Sequence, residues 1–224
     1  MDKSSFAGVA LAAGGIIGGL VLEGGNLGQI MQPTAALIVL GGTIGAVMLQ
    51  FPLAIVISAV KRFGQVFFEP VSEAQEVVKE IVRFANKARK EGIVSLDNDL
   101  GSVKNNILRK SLMMAVDGTE PEELRKIIEL ELDNQAIHSE KIPQVFEAAG
   151  GFAPTVGIIG AVLGLIQVMQ HLDNIEEVGH GIAVAFVATI YGVAVSNLVF
   201  LPAAGKLKIR IHDEAVVRRW RWRA

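Results

Sequence analysis

The chain has 224 residues and no cysteine, which excludes disulfides and thiolate chemistry. Hydrophobic residues make up 51% and charged residues 20%, so a mean hydropathy of +0.44 requires the two classes to be segregated along the chain. The net charge of -2 gives no bulk basic character for a nucleic-acid partner.

Four apolar stretches run from about Ser4 to Leu22, Thr34 to Ser58, Gly151 to Gln170 and Gly179 to Ala203. Each is close to the ~20 residues a helix needs to cross a bilayer. The predicted fold is therefore all-α: four transmembrane helices with a large helical cytoplasmic insertion between helices two and three. All 21 Lys and Arg lie outside the stretches, and the short connections 23–33 and 171–178 carry none. Basic residues collect on the cytoplasmic side, so both termini and the insertion are expected inside the cell. The first stretch reads as a retained signal anchor.

In chain order, a hairpin at 1–60 is followed by a cytoplasmic helical domain at 61–148. A second hairpin covers 149–204, and a basic tail covers 205–224. Pro33 suits the first turn of helix two. In the insertion, Ser72 and Glu73 predict a helix start, and Ile81, Phe84 and Ala88 form an apolar stripe. Leu96 to Leu100 is expected as a connector. A helix over about 103–116 has Ile107, Leu108, Leu112 and Val116 inward. Another starts at Thr119 or Glu120 and runs on into membrane helix three.

The interiors of the stretches hold no Asp, Glu, Lys, Arg or His. Such groups mark ion pathways, so either the chain moves no ion or a partner brings the titratable group. Small residues recur at four-residue spacing: Gly14 and Gly18, Gly41 and Gly45, Gly160 and Gly164, Ala188 and Gly192. That pattern predicts close helix packing, within one subunit or between subunits.

Ala153-Pro154-Thr155 reads as the opening of helix three, and Thr189 lies in helix four. A proline at a helix start and a Thr bonded to its own backbone are structural by default. The alternative is that Pro154, Thr155 and Thr189 line a pathway. Lys87, Arg89, Lys90, Glu91, Asp97 and Asp99 form either a solvated face or a charged docking surface. The run Arg218-Arg219-Trp220-Arg221-Trp222-Arg223 suits an anionic headgroup layer. No nucleotide loop or metal-ligand cluster is found, so the chain is read as no enzyme and as needing no cofactor.

The run APTVGIIGAVLGL at 153–165 makes a family resemblance specific, together with AFVATIYG at 185–192 and SNLVFLP at 196–202. These segments resemble the flagellar motor stator A subunit, the MotA/PomA family. ARKEGIVSLD at 88–97, AVDG at 115–118, the start MDK and QPTA at 32–35 agree, so the resemblance covers about residues 1–215.

It implies a bacterial inner-membrane homopentamer around two copies of a MotB-like B subunit whose membrane helix carries the ion-binding Asp. Ion flow would be converted into torque on the rotor protein FliG. Arg89 and Asp97 match the family's rotor-facing pair, with Lys90 beside them. Pro154 and Pro202 match its two functional prolines, and Thr189 its pathway hydroxyl. Sodium-type relatives carry a Thr where this chain has Ala161, so the proton is the expected coupling ion. A TolQ/ExbB-type energiser and a passive scaffold stay open as alternatives. The basic Trp-rich end stands where family members continue with a cytoplasmic helix.

Overall fold

The computed structural model describes residues 2–68, 74–103 and 105–223, with 74–77 and 217–223 by backbone alone. The expected helix start at Ser72 and Glu73, and the side chains of the Trp-rich tail, lie outside this description. Among the described residues every regular element is helical. The helices are α1 (Lys3–Leu22), α2 (Pro33–Gln50), α3 (Leu53–Phe63), α4 (Ala74–Glu91), α5 (Asn106–Val116), α6 (Pro121–Gln170), α7 (Ile175–Val195) and α8 (Leu201–Arg223). Four of the helical runs are long and apolar enough to cross a membrane, in the order expected.

The chain divides into two compact units. The first comprises Met1–Glu69 and Lys141–Ile209. Here Asp2 caps α1 by accepting from the amides of Ser4 and Ser5, at 3.1 and 3.4 Å. The same carboxylate is ion-paired with Lys206, whose ammonium also reaches the Ser5 hydroxyl. That hydrogen bond from Lys206, followed by one from Ser4, holds the Asp2 carboxyl far below the usual carboxylate range. Phe6 packs on Phe67 with ring centroids 5.5 Å apart. Beyond these anchors at its start, α1 buries no residue.

The apolar stretch 34–58, read as one membrane helix from the sequence, is two helices in the structure. Proline has no amide hydrogen, so Pro52 cannot continue the ladder: α2 ends when the Phe51 amide bonds Val47 O, and α3 starts after Pro52. Ala35 and Val39 of α2 pack against Val187, Ala188 and Tyr191 of α7. The loop before α7 ends at Asn174, which caps the Glu176 amide at 3.2 Å.

The second unit comprises Pro70–Glu140 and Arg210–Ala224. Its core joins Phe84 of α4, Leu96 and Val103 of the next segment and Leu108 of α5, with Ile81, Ala88, Leu112 and Val116 packed around them. The apolar stripes read from spacing do face inward. The connector at 96–100 is a 3-10 segment, Ile93–Ser102. The helix after it begins at Asn106 because Asn105 caps it, accepting from the Ile107 and Leu108 amides at 3.0 and 3.1 Å.

Candidate functional site

The membrane candidates lie on α6 and α7. Pro154 corrects the sequence reading: it does not open a helix but interrupts α6 from within, as does Pro143. The helix expected to start near Thr119 does run on into the span, so Pro154 falls inside α6 rather than at a start. Pro154 is half-buried and Thr155, beside it, is exposed. The Thr155 hydroxyl donates to Phe152 O at 2.8 Å, and that of the half-buried Thr189 to Ala185 O at 3.2 Å. Each thus gives its one proton to its own helix and keeps its oxygen as an acceptor. Ala161 offers a half-buried methyl and no oxygen.

The two helices approach through their glycines. A methyl carbon on Gly192 would lie 2.5 Å from Ala153 O, and one on Gly164 2.7 Å from Gly181 O. On Gly160 it would lie 2.7 Å from the Ala188 methyl. Among the described residues, Gly14, Gly18, Gly41 and Gly45 meet nothing within 4 Å of such a carbon. The small faces therefore divide: those of α6 and α7 are consumed within the chain, and those of α1 and α2 are left open.

Below Pro154, α7 does not pass directly into α8. Ser196–Phe200 forms a π turn, in which the Leu201 amide bonds Ser196 O, and Pro202 follows, exposed, in the first turn of α8. Two residues that spacing did not single out tie this end of α7 to α6 and to the segment before α2. The buried Ser196 donates its hydroxyl to Gly150 O at 2.6 Å, and Tyr191 donates to Ile30 O at 2.5 Å. Both bonds link positions distant in sequence, which no local pattern marks.

In the second unit, Arg89 and Lys90 close α4 and are exposed. Gly92, at φ +84°, reverses the chain in the left-handed region that glycine enters freely. Asp97 follows, also exposed. The six-residue charge cluster is not one surface. Lys87 and Asp99 pair with each other at 2.6 Å, and the Lys87 hydrogen bond holds the Asp99 carboxyl below its ordinary value. Arg89, Lys90 and Asp97 make no ion pair among the described residues and stay available to a partner.

Residues 100–219 match the family model for the MotA/TolQ/ExbB proton channel family, and 6–92 match the motility protein A N-terminal model. The chain is 36% identical to motility protein A of Bacillus subtilis over 97% of its own length and 81% of the relative's. It is 32% identical to chemotaxis protein PomA of Vibrio alginolyticus, over 98% and 85%. Among solved structures, that of C. jejuni MotAB aligns with a TM-score of 0.81 at 30% identity, over 99% of this chain and 87% of the other. The Bacillus subtilis MotAB stator complex aligns at 0.75 and 34%, over 97% and 86%. With both halves matched and relatives of this identity aligned nearly end to end, the chain belongs to the MotA/TolQ/ExbB proton channel family, as a flagellar stator subunit of the motility protein A type.

Proposed function

We propose that this subunit assembles as a homopentamer around a MotB-like B subunit in the bacterial inner membrane, with both termini cytoplasmic, and couples proton flow to torque on the rotor protein FliG. One observation carries the reading: the interiors of the spans hold no Asp, Glu, Lys, Arg or His, so a conducted ion needs a carboxylate from a partner. The two aligned stator structures are of MotAB complexes, in keeping with such a partner. Ala161 supplies no oxygen, so the hydroxyl oxygens of Thr155 and Thr189, each left as an acceptor, make a thin cage for sodium and favour the proton as the coupling ion. The open glycine faces of α1 and α2 suit subunit contacts. Arg89, Lys90 and Asp97 are the charges for the rotor. The subunit performs no enzymic step and uses no organic cofactor. One charge crossing 100 mV releases about 2.3 kcal/mol, so sustained work on a rotor draws on many protons.

The match at 6–92 to the motility protein A N-terminal model favours a stator over a TolQ/ExbB-type energiser. The test is co-purification with a B subunit, with native mass spectrometry and proton flux in liposomes. A five-to-two complex whose flux disappears when the partner's membrane Asp becomes Asn is expected. Flux from this chain alone would contradict the reading.

A further inference from the structure

Pro154 has no amide hydrogen, so the carbonyl of Gly150, one turn earlier in α6, loses the donor that a helix interior supplies. Gly150 is buried. A bare carbonyl at such a place in a membrane protein is costly, and a hydroxyl from a neighbouring helix is one way to satisfy it. Ser196 does so: its Oγ donates to Gly150 O at 2.6 Å, and the residue is 1% exposed. Ser196 is also the first residue of the π turn that precedes Pro202.

We infer that Ser196 is a positioning residue whose hydroxyl takes the place of the amide missing at Pro154. It thereby ties the proline interruption of α6 to the π turn and Pro202. A displacement of α6 at Pro154 then reaches 196–202 through one buried hydrogen bond rather than dissipating at the break. Neither proline could do this alone, since each only removes a donor. The hydrogen-bond assignment is independent of the torque reading; the transmission of movement rests on it.

The experiment is a double-mutant cycle with a functional arm. Pro154→Ala restores an amide to face Gly150 O, so it makes the Ser196 hydroxyl redundant. In the full chain, Ser196→Ala is expected to lower the folding constant about five-fold, the worth of one net hydrogen bond. In the Pro154→Ala background it is expected to change it little. Equal losses in both backgrounds would overturn the assignment.

In a stator-deficient host supplied with a B subunit, Ser196→Ala should slow swimming at unchanged membrane level, and Ser196→Thr, which keeps the hydroxyl, should recover it. Normal swimming of Ser196→Ala would reduce the bond to a packing feature and overturn the inference. A wild-type chain that inserts but supports no swimming would sink the torque reading instead. The unfolding cycle would still decide whether the hydroxyl replaces the amide.

Discussion

Tyr191, deep in α7, donates its hydroxyl to the carbonyl of Ile30 at 2.5 Å and accepts from the Gln32 amide at 3.4 Å. One side chain thus satisfies two backbone groups of the irregular segment that leads into α2, where no helix can satisfy them. Tyr191→Phe keeps the ring that packs with Ala35 and Val39 and removes only the hydroxyl. It should cost about 1 kcal/mol, read as a lower unfolding midpoint in detergent. Faster amide exchange at Gln32 should accompany it. Unchanged exchange there would show that the hydroxyl does not hold the segment.

The glycines separate into two classes by experiment as they do by contact. Gly192→Ala drives a methyl to 2.5 Å from Ala153 O, and Gly164→Ala to 2.7 Å from Gly181 O. Backbone cannot yield as a side-chain tip can, so each should destabilise the chain by about 1–3 kcal/mol. Gly14→Ala and Gly41→Ala meet nothing within 4 Å among the described residues and, at helix-interior positions, should leave the isolated chain's melting unchanged or slightly raised. If they instead impair assembly with further copies, the open faces of α1 and α2 are subunit contacts.

Acid should release the start of α1 only at extreme pH. The hydrogen bond from Lys206 depresses the Asp2 carboxyl in the folded state. A depressed carboxyl contributes stability that is fully present above its unfolded value, about 3.9, and lost as pH falls through the folded value. The stability difference between the native chain and Asp2→Asn should therefore be constant from neutral pH down to about 5 and shrink below about 4. A difference that disappears between about pH 8 and 6 would point to another titrating group.

Thr43 gives a prediction of opposite sign. It is 1% exposed on α2, and its Oγ1 has no hydrogen-bond partner among the described residues. Valine has nearly the same shape without the hydroxyl. Thr43→Val should raise stability by about 1–3 kcal/mol, the cost of an unsatisfied buried polar group. A loss would mean that the hydroxyl is bonded in the membrane.

Periodicity and charge made the four apolar runs, the inward stripe of Ile81, Phe84 and Ala88 and the basic asymmetry legible in the sequence, because each is a repeating local signal. The break at Pro52 and the interior position of Pro154 were misread for one reason. A proline marks a missing amide, and the sequence does not say whether the helix stops there or a neighbour repairs the gap. At Pro52 the helix stops; at Pro154 the Ser196 hydroxyl stands in. The pairing of Lys87 with Asp99 was hidden in the same way: the sequence shows six charges in thirteen positions, and only the chain reversal at Gly92 decides which are spent on each other.

The most direct measurement is swimming in a strain lacking its own A subunit, with this chain and a matching B subunit, membrane insertion verified and sodium varied at fixed proton-motive force. The account predicts swimming that is indifferent to sodium, is abolished by Arg89→Glu, and is lost with Pro154→Leu at normal membrane levels. Swimming that rises with sodium, or none at all despite good insertion, would contradict a proton-driven stator.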